Sequence, residues 1–243
     1  MSDAGLAAFR HRSSGERAGG RDRWTVDLLN QWVSGVLPDV LAAGAPAGPV
    51  LDVGCGEQPY RPLVERSGRR YVSLDVVQNA AESVDILSAI ADVPADAPRF
   101  SAVLCTEVLS HVPNVDAAFA ALRRLCVEGA LVVITNPFIF PLNMEPYDYR
   151  RLTLHGCEDL GARHGFRVER ADRLGDVADV LATVMADASI LPATRTPYAR
   201  LKARVLRAAA AALVRAFDSR LLRGGVALNS HVYLTNGVIL RAR

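Results

Sequence analysis

Short apolar runs separated by polar stretches rich in Gly and Pro recur along most of the chain. Those at Val50–Val53, Tyr71–Leu74, Val84–Leu87, Ala102–Cys105, Leu131–Thr135 and Phe166–Glu169 have the length and continuity of strands covered on both faces. Between them the apolar positions switch to a spacing of three and four, over Val115–Cys126 and Leu154–His164, which predicts helices. Strand and helix in alternation predict an α/β fold, a parallel sheet with helices on both faces. Ahead of it, Val26, Leu29, Val33, Val36 and Leu37 predict a helix over Thr25–Leu41, followed by a Gly/Pro/Ala linker at Ala43–Gly48.

Sheets of this kind bind ligands beyond the carboxyl ends of their strands, so chemistry is sought just after each apolar run. The first run leads into Val50-Leu51-Asp52-Val53-Gly54-Cys55-Gly56, where two glycines two apart let the backbone approach a ligand closely. Asp75 follows Gly56 by nineteen residues, at the end of the second run, where a carboxylate can accept from both hydroxyls of a ribose. A dinucleotide site would place a third glycine where this chain has Pro59, which argues against a nicotinamide or flavin cofactor. The negative charges of Asp52 and Glu57 around the turn repel a pyrophosphate and suit a cation such as a sulfonium.

Composition narrows the partners. The 243 residues are 50% hydrophobic and 22% charged, enough for one substantial core, and a net charge of +2 excludes the strongly basic balance of a dedicated nucleic-acid binder. Cys55, Cys105, Cys126 and Cys157 lie far apart with no C-x-x-C pair, so neither a zinc site nor a disulfide framework is expected, and no metal is assigned. Reduced thiols, the lack of a signal-peptide core after the five arginines of Met1–Arg23, and a longest apolar run of only Ala208–Val214 predict a cytoplasmic protein without a transmembrane helix.

Charge is segregated. From Ser189 to Arg243 there are ten Lys and Arg against one acid, Asp218, a net +9 that leaves residues 1–188 at −7. Within that tail, Leu206, Ala210, Leu213, Phe217 and Leu221 form one helical stripe beside another of Arg200, Arg204, Arg207 and Arg215. A basic amphipathic helix over 198–223 can pack on its own domain, cover an acceptor or lie on an anionic membrane. Nucleic acid is set aside, because Tyr198 and Phe217 are its only aromatic company.

The D-x-G-C-G of Asp52–Gly56 and the later E-V-L-x-H-V of Glu107–Val112 resemble the class I S-adenosylmethionine-dependent methyltransferases, in particular a broad bacterial family of them. The likeness runs from Val50 to Phe166. It includes Gly129–Phe138, similar to the family's fifth strand, and Pro146–Thr153, similar to a segment that follows it. The resemblance implies a Rossmann-like, seven-stranded, mostly parallel sheet whose antiparallel last strand comes from His231–Arg241, although Asn236-Gly237 also suits a hairpin turn. It divides the chain into an N-terminal arm and helix (1–45), a cofactor-binding core (46–173), a basic helical insertion or lid (174–230) and a final strand (231–243).

By the same resemblance, S-adenosyl-L-methionine would be held by Asp52, Gly54, Cys55, Gly56, Asp75, Val76, Ser88, Ala89, Ile90, Thr106 and Glu107, and a small-molecule acceptor by Asn136, Glu145, Tyr147, Asp148 and Arg151. Glu107 has the alternative of serving a helix N-terminus, and the Glu145–Arg151 segment that of a structural ion pair. Two positions depart from the family pattern. Ala89 replaces an acid beside the adenine, leaving Ser88 or the backbone of Ile90 to serve, and Asn143 stands where many relatives carry His. His111, just past the fourth strand, is then the candidate general base. The expected reaction is O-methylation of a small hydroxylated metabolite or sugar. N- or C-methylation and a non-catalytic cofactor-binding protein of the same fold are the alternatives.

Overall fold

The computed structural model describes residues 23–186, 196–218 and 231–243. Seven strands form one sheet: β1 (Val50–Val53), β2 (Tyr71–Asp75), β3 (Ile86–Leu87), β4 (Phe100–Thr106), β5 (Cys126–Pro137), β6 (Phe166–Leu174) and β7 (Thr235–Ala242), in the order β3-β2-β1-β4-β5-β7-β6. The first five run parallel, while β7 inserts antiparallel between β5 and β6. The helices are α1 (Arg23–Asp39), α2 (Arg61–Arg66), α3 (Val115–Leu125), α4 (Leu154–Arg163), α5 (Val177–Ala186) and α6 (Pro197–Asp218).

Period-two alternation sorts the central strands into two cores. Leu51, Val53, Val103, Cys105, Val132 and Ile134 face one side with Phe119 and Leu122 of α3 and Leu154, Cys157 and Leu160 of α4. Val50, Ala102, Leu104, Leu131 and Val133 face the other, against Val33, Val36 and Leu37 of α1 and Val64 of α2. The α1 helix is therefore a layer of the sheet. Local chemistry fixes the helix starts: the Asn114 side chain accepts from the Ala117 N–H at 3.0 Å to cap α3, and Thr153 accepts from the Gly156 N–H at 2.9 Å to cap α4.

Several boundaries differ from the apolar pattern for identifiable reasons. β3 keeps only the last two residues of the expected run, because Val84 and Asp85 bond to Gln78 and Ser73. β6 continues past its apolar start as an exposed edge strand whose Arg167, Glu169, Arg170 and Asp172 pair along its surface. Asn236-Gly237 makes no hairpin but lies inside β7, where Asn236 pairs with Asn136 and Gly237 with Thr135. Gly237 is needed for room: a Cβ there would stand 2.6 Å from the Trp32 ring, which α1 lays on the sheet with its Nε1–H donating to Asp172 at 2.8 Å. In the basic tail, Leu221 lies outside the described residues, as do the side chains of Arg207, Ala210, Leu213, Arg215 and Phe217.

Strand order reverses between β1 and β4, since the chain first adds β2 and β3 on one side and then β4 and β5 on the other. The crevice beyond the carboxyl ends of β1 and β4 is thus the place this topology offers a ligand.

Gly237→Ala should lower stability by about 1–3 kcal/mol, the usual result of overpacking a filled site. The test is the urea midpoint at unchanged slope; an unaltered midpoint would show that the ring does not hold this position.

Candidate active site

At that crevice β1 ends in a turn with Gly54 at φ +66° and Gly56 at φ +50°, in the left-handed region that favours glycine. Both Gly54 N–H and Cys55 N–H donate to the Leu74 carbonyl, at 2.8 and 3.2 Å. Asp75, at the end of β2, closes the turn: its Oδ2 accepts from the Gly56 N–H at 3.0 Å and its Oδ1 from the Val77 N–H at 3.3 Å. From the next loop, Asn79 Nδ2 donates to the Gly56 carbonyl at 3.2 Å. Gly54 is bare for a second reason, because a Cβ on it would stand 2.3 Å from Cγ2 of Val108. The glycine turn thus also seats the segment that carries Glu107 and His111.

A cavity of about 920 Å³ opens over this turn, roomy enough for a nucleoside-sized ligand and a second small molecule. Its wall carries the carboxylates Glu57, Asp75, Glu82, Asp92 and Glu107, with no Lys or Arg among the described lining residues. Such a wall favours a cation and disfavours a pyrophosphate. Val76, Ala89 and Ile90 give it an apolar side, while Asn143, Met144, Tyr147 and Tyr149 face it from the loop after β5.

His111 ends a 3₁₀ turn (Leu109–His111) after β4, and its Nδ1 lies 2.9 Å from the Tyr147 carbonyl oxygen. A carbonyl only accepts, so Nδ1 carries the proton and Nε2 keeps the lone pair. Burial lowers the His111 pKa, with the Tyr147 carbonyl and the Asp148 carboxylate opposing, so the ring is neutral at pH 7. Two arginines brace the loop that supplies this carbonyl. Arg150 donates to the carbonyls of Leu109 (3.2 Å), Val112 and Pro113 (2.7 Å), and Arg151 grips the Asp148 carboxylate while donating to the Pro141 carbonyl at 3.0 Å. Tyr149 N–H joins it to the Ser110 carbonyl at 2.9 Å.

Glu107 occupies the left-handed region at φ +58°, unusual for a residue with a Cβ and of the kind that clusters at functional sites. Its Oε1 lies 3.1 Å from the Thr235 hydroxyl, which is 2.5 Å from the Asn136 carbonyl. That hydroxyl has one proton to share between the two oxygens. Desolvation pushes the Glu107 pKa up to about 7, against the opposing pull of Thr135, Thr235 and Arg151.

The structure brings Gly54, Gly56, Asp75, Val76, Ser88, Ala89, Ile90, Thr106, Glu107, His111 and Tyr147 together on the cavity wall. Asp52, Cys55, Asn136, Glu145, Asp148 and Arg151 stand off it. Asp52 alternates with the wall residue Val53 and is sealed in the sheet, accepting from the Tyr71 hydroxyl at 2.6 Å while its Oδ1 has no partner among the described residues. Desolvation lifts its pKa to about 7, with the Tyr71 bond opposing. Cys55 is buried, its thiol pushed up to about 12 by desolvation, which makes it a filler and no nucleophile. Asn136 is buried in the β5–β7 pairing with Nδ2 on the Cys157 sulfur, and Asp148 and Arg151 are spent on each other. Gln78, Asn79, Val108 and Met144 line the cavity without a sequence signal beyond their nearness to Asp75, Glu107 and Tyr147.

A methyltransferase-domain family model matches residues 28–174, more than half of the chain. The ubiquinone biosynthesis O-methyltransferase of Alkalilimnicola ehrlichii is 29% identical over 113 residues, 41% of this chain and 44% of the relative, so the match spans less than half of that relative's length. Among solved structures, the 1,6-didemethyltoxoflavin-N1-methyltransferase of Burkholderia thailandensis, with bound 1,6-didemethyltoxoflavin and S-adenosylhomocysteine, superposes with a TM-score of 0.57 at 15% identity, covering 97% of this chain and 88% of that one. The magnesium protoporphyrin IX methyltransferase of Synechocystis PCC 6803 with bound S-adenosylmethionine gives 0.55 at 14% identity, covering 99% and 92%. At such identities the likeness is one of fold.

Asp52 titrates at 3.8 when unfolded and at about 7 when folded, so the unfolded chain loses this proton first and stability falls as pH rises between those values, levelling above 7. Asp52→Asn, which still accepts from Tyr71, should remove that fall and be the more stable protein at pH 8, with the gain gone at pH 4. Urea unfolding at both pH values checks it, and an equal difference at both would show that Asp52 is not held protonated.

Proposed function

The chain belongs to the methyltransferase-domain family, in its S-adenosylmethionine-dependent class, and from that premise we propose that it methylates an oxygen of a small hydroxylated metabolite or sugar with His111 as the base. The observation that carries this reading is the commitment of His111 Nδ1 to the Tyr147 carbonyl, which leaves the neutral Nε2 to accept a proton in the same cavity that holds Asp75. The O-methyltransferase among the relatives supports oxygen as the acceptor atom.

The residues fit the cofactor. The acidic wall suits a sulfonium, the Asp75 carboxylate can accept from a ribose diol, and Val76, Ala89 and Ile90 offer the adenine an apolar berth beside Ser88. When bound, S-adenosylmethionine supplies an electrophilic methyl group on a positively charged sulfur. Little further activation of the carbon is needed, so the protein's work is to position the acceptor, keep it dry and remove its proton. His111 Nε2 takes that proton, because an alcohol is a poor nucleophile while protonated. The loop of Asn143, Met144, Tyr147 and Tyr149 borders the acceptor, held by Arg150 and Arg151. The loop and the His111 segment are thus fixed to each other, the imidazole itself by the Tyr147 carbonyl. With all four cysteines free and buried, a cytoplasmic setting belongs to the same proposal.

Asp75→Ala should weaken S-adenosylhomocysteine binding by roughly 10- to 100-fold in calorimetry, the usual effect of losing a hydrogen bond to a charged group. Unchanged affinity would remove the cofactor from this end of the cavity.

His111→Ala should lower kcat by about 10²–10⁴ and abolish the acidic limb of the pH–rate profile, while leaving S-adenosylhomocysteine affinity intact. Because burial depresses its pKa, the wild-type limb should lie below the usual histidine range and be flat by pH 7. Retention of more than about a tenth of kcat would contradict a base role and favour an amine or carbanion acceptor, which needs only positioning.

A further inference from the structure

The α6 helix carries two apolar faces, and only one is covered by the described residues. Ala199, Ala203 and Leu206 are half-buried along one side of α6, and α6 packs against α5. Tyr198, Leu201 and Val205 point elsewhere, 74%, 59% and 59% exposed, and at the helical repeat they fall within about 60° of one another. Cations border this ridge on both sides. Lys202 follows Tyr198 by about 40° and Arg204 precedes Leu201 by about 60°, with Arg200 beyond it, all three exposed. The helix has no acidic residue before Asp218, and the tail from Ser189 onward carries a net +9. The α5 helix adds exposed Leu181 and Val184.

We propose that the first turns of α6 lie on an anionic membrane surface, with Tyr198, Leu201 and Val205 among the acyl chains and Arg200, Lys202 and Arg204 at the phosphates. The pattern suits a lipid interface better than a protein groove, because cations stand on both flanks of the ridge where the headgroups of a planar surface lie. No helix among the described residues is long and apolar enough to cross a membrane, so the contact is peripheral. This inference is independent of the acceptor and of the role of His111.

The test is co-sedimentation of the full chain with vesicles of phosphatidylcholine alone or with added phosphatidylglycerol. Binding should require the anionic lipid and weaken with salt. Arg200→Gln with Lys202→Gln and Arg204→Gln should reduce partitioning about a hundredfold, roughly fivefold per charge. Leu201→Ser with Val205→Ser should also abolish binding with every cation in place, and both sets should bind S-adenosylhomocysteine as the wild type does, showing that they fold. Failure to bind anionic vesicles would overturn the proposal, as would insensitivity to the Leu201/Val205 change, the mark of a polyanion site. So would gel filtration in which that change converts a dimer to a monomer, since the ridge would then be covered by a second copy.

Discussion

The Asp75 carboxylate accepting the Gly56 N–H is the contact on which the rest of the site depends. It ties the carboxyl end of β2 to the turn after β1, and that turn can be tight only because Gly54 and Gly56 adopt positive φ. The absence of a side chain at Gly54 lets Val108 close in, and Val108 sits between Glu107 and the 3₁₀ turn of His111. Three strand ends are thereby held in one arrangement with their polar groups facing a common space. A substitution at Gly54 would consequently disturb the Glu107–His111 side of the cavity as well as the Asp75 side.

Electrostatics divides the work within that space. The wall carries carboxylates and no described Lys or Arg, so an entering cation replaces lost hydration with fixed negative charge. Not all of those acids are equivalent: burial favours a proton on Glu107 against its bonds to Thr135 and Thr235, whereas Asp75 receives two backbone N–H groups. His111 is kept neutral by the same burial that raises Glu107. One cavity therefore holds a carboxyl whose pKa burial raises and an imidazole whose pKa burial lowers.

Much of this is legible in the sequence, because a backbone turn and a strand end leave local signatures. The glycines of Gly54–Gly56, the acid at Asp75 and the histidine past β4 are read from spacing and from the family resemblance, and they meet at the cavity. Asp52 belongs to the same motif yet serves the sheet, since period two turns it toward Tyr71 and away from the wall. The segment after β5 misleads in another way. Its charged residues suggest ligand contacts, but Asp148, Arg150 and Arg151 hold the loop, and the wall is made by Asn143, Met144, Tyr147 and Tyr149. The start of β6 shows at Phe166–Glu169, and the rest of this edge strand hides because solvent exposure erases the apolar pattern. The exposed ridge of α6 hides because a helix with two apolar faces has no single stripe.

The central claim is that one cavity holds the cofactor at its Asp75 end and the acceptor at its His111 end. A crystal structure with S-adenosylhomocysteine tests it most directly. The account predicts both ribose hydroxyls on the Asp75 carboxylate, the adenine against Val76, Ala89 and Ile90, and the sulfur facing an open space reached by His111 Nε2. A ligand bound elsewhere, or one in this cavity whose sulfur faces away from His111, would contradict it.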